Sequence, residues 1–193
     1  QLVVDIDHYA KAIDKLKDFA ESESMQKGAE AYATGEEAFE AYTLTQQRKA
    51  TLVGELARLE KMSEDLLPWG EFTVESREKL LEQGVVLRYY VAQKSTFEAH
   101  KAEWDADYTI AQIGEDSSSV YFVVVTTPAA EVVLDAQEVK APAMDSRAVL
   151  AEAEECRQEL KDVNVGLSVC AASVEAIEQE LVVLTQQLQN VKI

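Results

Sequence analysis

The sequence predicts an α+β fold: a long antiparallel coiled-coil helical hairpin with a small ferredoxin-like (βαββαβ) lobe at its tip. Three observations predict it. Apolar or small residues recur at Val149, Ala153, Cys156, Leu160, Val163, Leu167, Cys170, Val174, Ile177, Leu181, Leu184, Leu188 and Val191, the three- and four-residue steps of a coiled-coil a/d stripe. Residues 1–67 carry a similar but interrupted pattern. Between the two arms, runs of β-branched and aromatic residues alternate with turn formers. A stripe this narrow cannot build a globular core and must meet a partner helix along its length. The implied function is reach and attachment rather than chemistry.

Three parts follow: an outgoing helical arm (1–67), a distal α/β lobe (68–143) and a returning coiled-coil helix (144–193). The first helix is expected over about Asp5 to Glu23, on the spacing of Ile6, Tyr9, Ile13, Leu16 and Ala20. The stretch Gln26 to Gly35 weakens the pattern and holds two glycines, so a break that allows bending is expected there. Thr34 then caps a second helix, with Glu37 as its capping-box partner. That helix runs to Leu67, where Pro68 stops it.

In the lobe, Thr73 caps a short helix to about Gln83, which Gly84 stops, and Val85 to Val91 reads as a strand. A helix at Ser95 to Trp104 follows, with Phe97 and Trp104 as its core contacts. Strands at Asp107 to Ile113 and Ser119 to Thr126 flank a turn-rich spacer and form an antiparallel hairpin. Pro128 to Val133 is expected to be a brief helix, because proline suits a first turn. A last strand spans Ala136 to Lys140. Asp145 or Ser146 then begins a return helix of about 47 residues, roughly 70 Å long.

Composition narrows the partners. With 36 acidic against 18 basic residues the formal charge is −18. Nucleic acid and anionic membrane surfaces are disfavoured by repulsion. A basic protein partner fits, as does a simply well-solvated helical surface. No run approaches the roughly 20 apolar residues that span a bilayer, and no secretory signal is visible. The chain begins at Gln1 rather than Met, so a fragment or processed product is expected.

Chemistry is poorly represented. His8 and His100 stand alone, without Cys or His at metal-ligand spacing, and His100 reads as a partly exposed lobe residue. Cys156 and Cys170 are 14 residues apart on one helix, too far to bridge within it, and read as buried small hydrophobes. No phosphate-binding glycine loop occurs. Glutamate clusters such as Glu152-Ala153-Glu154-Glu155 read as solvated helix surface. No catalytic, cofactor or metal residues are expected, and the chain is read as a non-enzyme.

One segment stands out: Leu66-Leu67-Pro68-Trp69-Gly70-Glu71-Phe72. Physically it is a helix stop followed by aromatics that pack the lobe onto the hairpin. Pro68, Trp69, Gly70, Glu71 and Phe72 at the end of a coiled-coil arm also resemble subunit I of bacterial and archaeal V-type ATPases, the equivalent of eukaryotic subunit a. Gly84-Val85-Val86-Leu87-Arg88-Tyr89-Tyr90 continues the likeness with a glycine, an apolar strand and an aromatic pair. The resemblance covers most of the chain and is strongest from Leu66 to Pro142.

The resemblance implies a non-catalytic stator component, at the cytoplasmic face of a membrane complex, for proton or ion transport coupled to ATP hydrolysis or synthesis. It implies the peripheral-stalk subunits E and G as partners, alongside other rotary ATPase subunits, and an integral membrane parent. The family's membrane domain and transport residues match no part of this chain. The alternative is an unrelated cytoplasmic coiled-coil adaptor whose lobe binds another protein.

Overall fold

A computed structural model describes residues 1–192. Among them are six α-helices and four strands. The chain divides into two compact units, residues 1–57 with 154–193 and residues 58–153.

The first unit is helical. Helix α1 (Leu2–Ala20) buries Tyr9, Ala12, Ile13 and Leu16 on one stripe, as its 3.6-residue period requires. It packs against α6 (Val174–Lys192), and Lys17 pairs with Glu178 across them at 3.2 Å. Helix α2 (Gly35–Leu66) starts where Thr34 Oγ1 accepts the Glu37 N–H at 3.2 Å, half of the expected capping box. The Tyr9 and Phe39 rings lie 4.0 Å apart. From α5 (Ser146–Ala172), Cys156, Val163, Leu167 and Cys170 are buried in this unit.

Residues 21–34 are not helical, and two buried serines hold them. Ser168 Oγ accepts the Gln26 N–H at 2.9 Å, and Ser173 Oγ accepts the Tyr32 N–H at 2.8 Å. Each hydroxyl also donates to a carbonyl four residues back, on Asn164 and Val169, so neither polar group is buried without partners.

The second unit contains a mixed-layer core. Strands β1 (Val86–Gln93), β2 (Thr109–Glu115), β3 (Ser119–Thr126) and β4 (Gln137–Val139) form one sheet in the order β2-β3-β1-β4. Every neighbouring pair is antiparallel. Alternation sends successive side chains to opposite faces. Tyr90, Ala92, Val120, Phe122 and Val124 face Phe97 and Trp104 of α4 (Lys94–Asp107). Tyr89 and Val123 face Trp69, with Phe72, Leu87, Val91 and Tyr121 around them. The short helix α3 (Val74–Glu82) completes the unit, together with residues 58–66 and the first turns of α5.

The expected fold class is corrected on two points. No long coiled-coil hairpin forms: the return segment is two helices, α5 and α6, interrupted at Ser173. There the Ser173 hydroxyl back-bonds to the Val169 carbonyl, and its N–H pairs with the Cys170 carbonyl at 3.0 Å, three residues back rather than four. The buried stripe slips accordingly, with Ser173 buried where Val174 was expected.

Second, the βαββαβ lobe lacks its second helix. Residues 128–133 are not helical. Tyr108 Oη accepts the Val133 N–H at 3.0 Å and donates to the Val133 carbonyl at 3.3 Å. The partners that an extended ladder would supply thus come from a side chain. Val132, Leu134 and Ala136 then alternate onto the core with the period of extended chain.

Candidate docking surface

The Pro68–Phe72 run belongs to the sheet unit and shapes two open clefts there. Helix α2 ends at Leu66, because proline cannot continue the backbone ladder, and Leu67–Trp69 makes one 3-10 turn. Gly70 then turns the chain at φ 67°, a conformation that disfavours any Cβ. Trp69 is 8% exposed. Its ring meets Tyr89 and Tyr121 edge-on, with centroids 5.1 and 5.3 Å away, the geometry favoured by the aromatic quadrupole. Pro68 is half-buried, Gly70 and Glu71 are exposed, and Phe72 is half-buried.

Glycine at position 114 has a steric reason. A Cβ there would run into the Pro68 carbonyl oxygen and lie 3.1 Å from its carbon. The β2–β3 ladder shifts register between Gln112 and Gly114, and this bulge lets the strand approach the turn.

On the Phe72 side lies a cleft of about 750 Å³. Its apolar lining comes from Phe72, Leu80, Leu87, Tyr89 and Leu150, and Arg77 and Arg147 supply its cations. Thr73 caps α3 by accepting the Ser76 N–H at 3.1 Å, which sets the helix phase that points Arg77 inward. The Arg77 guanidinium lies 5.8 Å from the Phe72 ring centre and 5.9 Å from that of Tyr89, and donates to Tyr89 Oη at 3.5 Å.

Asp145 joins the two helix starts that flank this cleft. One carboxylate oxygen accepts the Val74 N–H of α3 at 3.0 Å, and the other accepts the Ala148 N–H of α5 at 2.9 Å. The Val74 bond first, then the Ala148 bond, holds the carboxyl below its ordinary range, since both favour the ionised form.

On the Trp69 side, a second groove of about 580 Å³ is lined by Met62, Pro68, Trp69, Tyr121, Pro142 and Met144 among others. Near β4, Arg88 pairs with Glu138 through two 2.8 Å bonds. That fork holds the Glu138 carboxyl low.

The stripe residues named from sequence are distributed along α5 and α6. Val163, Leu167 and Ile177 are buried, whereas Leu160, Val174, Leu181, Leu184 and Leu188 are half-buried. Cys156 and Cys170 are buried free thiols. His100 stacks on Trp104 at 5.5 Å and faces Glu103 and Asp135 at 3.5 and 3.9 Å.

Sequence reasoning missed Arg77 and Arg147. Each is one cation in a charged helix, and only the tertiary fold brings them to one cleft. It named Asp145 as a helix start, but nothing local signals its reach to α3. Among the described residues no cluster of three or more His, Cys, Asp or Glu side chains is disposed to hold a metal ion. None of the described helices is long and apolar enough to cross a membrane. No protein-family model matches the chain, and no curated protein matches it significantly.

Proposed function

We propose that this chain is a non-catalytic attachment piece of a rotary V-type ATPase stator, derived from the cytoplasmic region of subunit I. Its sheet unit docks the peripheral-stalk subunits E and G. One observation carries the reading. The residues of the resembling motif line both open clefts of that unit, Pro68 and Trp69 on one side and Glu71 and Phe72 on the other. The motif therefore does more than end a helix: it frames two concave, mainly apolar surfaces of a size that side chains of a partner helix fill. The parent is an integral membrane protein whose further domains carry ion transport, and this piece lies at the cytoplasmic face.

Capture of cognate peripheral-stalk E and G subunits tests the proposal. Binding at micromolar protein and low salt is expected, and its absence would remove the stator reading. The full reading frame gives an independent check, since several apolar spans of about 20 residues should follow.

The interruption at Ser173 favours a second reading. A stator arm of the resembling family relies on a continuous helical hairpin, and this return segment is broken. A cytoplasmic adaptor that uses the same sheet unit to bind another protein needs no such continuity. A reading frame without membrane spans decides for it.

A further inference from the structure

We infer that the cleft beside α3 receives the apolar face of an acidic amphipathic helix from a protein partner. This rests on the attachment reading above and specifies the chemistry of its occupant. The cleft floor and wall are apolar: Phe72 and Leu87 lie at the sheet, and Leu80 and Leu150 stand 36% and 59% exposed along its sides. Exposed leucines lining a cleft of about 750 Å³ suit the apolar i, i+3, i+4, i+7 anchors of a helix laid in a groove.

The charge on its margin identifies the sign of the occupant. Arg77 and Arg147 line the cleft, and among the described residues neither has a carboxylate within ion-pair distance. Arg77 is held by two aromatic rings and the Tyr89 hydroxyl, which fixes the guanidinium and leaves further N–H donors free for a planar carboxylate. The Asp145 carboxylate is already taken by two backbone N–H groups. Glu71 is the acidic residue of the lining. Arg147 also feels the nearby Asp145 carboxylate, so the lining sets two cations against Glu71 in a chain of formal charge −18. A membrane surface fits less well, because the remaining acidic surface would meet anionic headgroups.

The test uses the full chain and a fluorescein-labelled synthetic helix. The peptide carries leucines at i, i+3, i+4 and i+7 flanked by glutamates, and its control replaces every glutamate with lysine. Anisotropy is read at about 150 mM salt, where long-range fields are screened beyond roughly 8 Å. The acidic peptide should bind the tighter of the two, against the chain's overall charge. Arg147→Glu, at an exposed position, should weaken it about fivefold or more, the scale of a reversed surface charge pair. Leu150→Asp should abolish it. Equal binding of both peptides, or indifference to Arg147→Glu and Leu150→Asp with the fold intact by circular dichroism, overturns the inference.

Tight Arg147-dependent binding to phosphatidylserine vesicles, with none to the peptide, overturns it in favour of lipid. Capture of E and G in parallel separates the two proposals. Equal capture by the native chain and Arg147→Glu removes the cleft and keeps the stator. Peptide preference without stalk capture keeps the cleft and removes the stator.

Discussion

Replacing Gly114 with alanine tests the account of how β2 meets the turn after α2. The added Cβ would run into the Pro68 carbonyl oxygen and stand 3.1 and 3.4 Å from the Pro68 carbonyl carbon and Cα. The obstacle is backbone, not the end of a flexible side chain. Pro68 also lies between Leu66 and Trp69, both buried at 5% and 8% exposure, so the turn cannot withdraw without lifting an aromatic off the sheet. Overpacking ordinarily costs about 1–3 kcal/mol, and a backbone obstacle belongs at the upper end. We expect a loss of about 3 kcal/mol, or a urea midpoint lowered by about 1.5 M at a slope of about 2 kcal/mol per M. Both tryptophans, Trp69 and Trp104, lie in the sheet unit, so intrinsic fluorescence follows that unit alone. A midpoint within about 0.3 M of the native chain would refute the steric argument. Gly54→Ala is the counter-case, with open space around the site inside α2. It should stabilise the helix by about 0.5–1 kcal/mol, read by far-ultraviolet circular dichroism.

Three further outcomes follow from the packing and titration described above. Trp69→Ala should cost about 3–5 kcal/mol in the sheet unit, measured through Trp104 fluorescence, and Trp69→Phe should recover part of it. Asp145→Asn should lower the thermal midpoint at neutral pH. Because the folded carboxyl titrates below its ordinary 3.8, its contribution is complete above that value and disappears as pH falls through the folded one, so the two midpoints should converge in acid. A difference that persists at the lowest accessible pH would contradict the double-cap account. Burial pushes the Cys170 thiol up to about 11. At pH 8 roughly one molecule in a thousand holds the thiolate, so iodoacetamide should modify Cys170 only as the first unit opens, and labelling of the native chain within minutes would contradict the burial.

Local chemistry was legible where a single residue type decides the backbone. Thr34 and Thr73 cap their helices as expected, and Pro68 ends α2 at Leu66. The break at Ser173 was not legible. The steps through Cys170, Val174 and Ile177 keep helical spacing, and a serine between them gives no warning that its hydroxyl will be shared with Tyr32 from far along the chain. The absent helix after Pro128 was misread for a related reason. Proline suits a first turn, yet Val132, Leu134 and Ala136 also alternate, and the Tyr108 hydroxyl decides between the two. The cleft was least legible of all, since Arg77 and Leu150 are 73 positions apart, the difference of their numbers, and acquire a shared role only when Asp145 ties the starts of their two helices together.

The division of the chain has a consequence for its synthesis. The sheet unit is one unbroken segment, residues 58–153, whereas the helical unit is drawn from both ends of the chain. On a ribosome, which releases a chain from its N-terminus, the inserted segment can complete its core first, once Asp145 emerges to accept the Val74 N–H of α3. The buried stripe of α1 must wait for α6, which follows the whole sheet unit in the chain. During that interval α1 has Phe39 of α2 against Tyr9 but lacks the cover that α6 supplies.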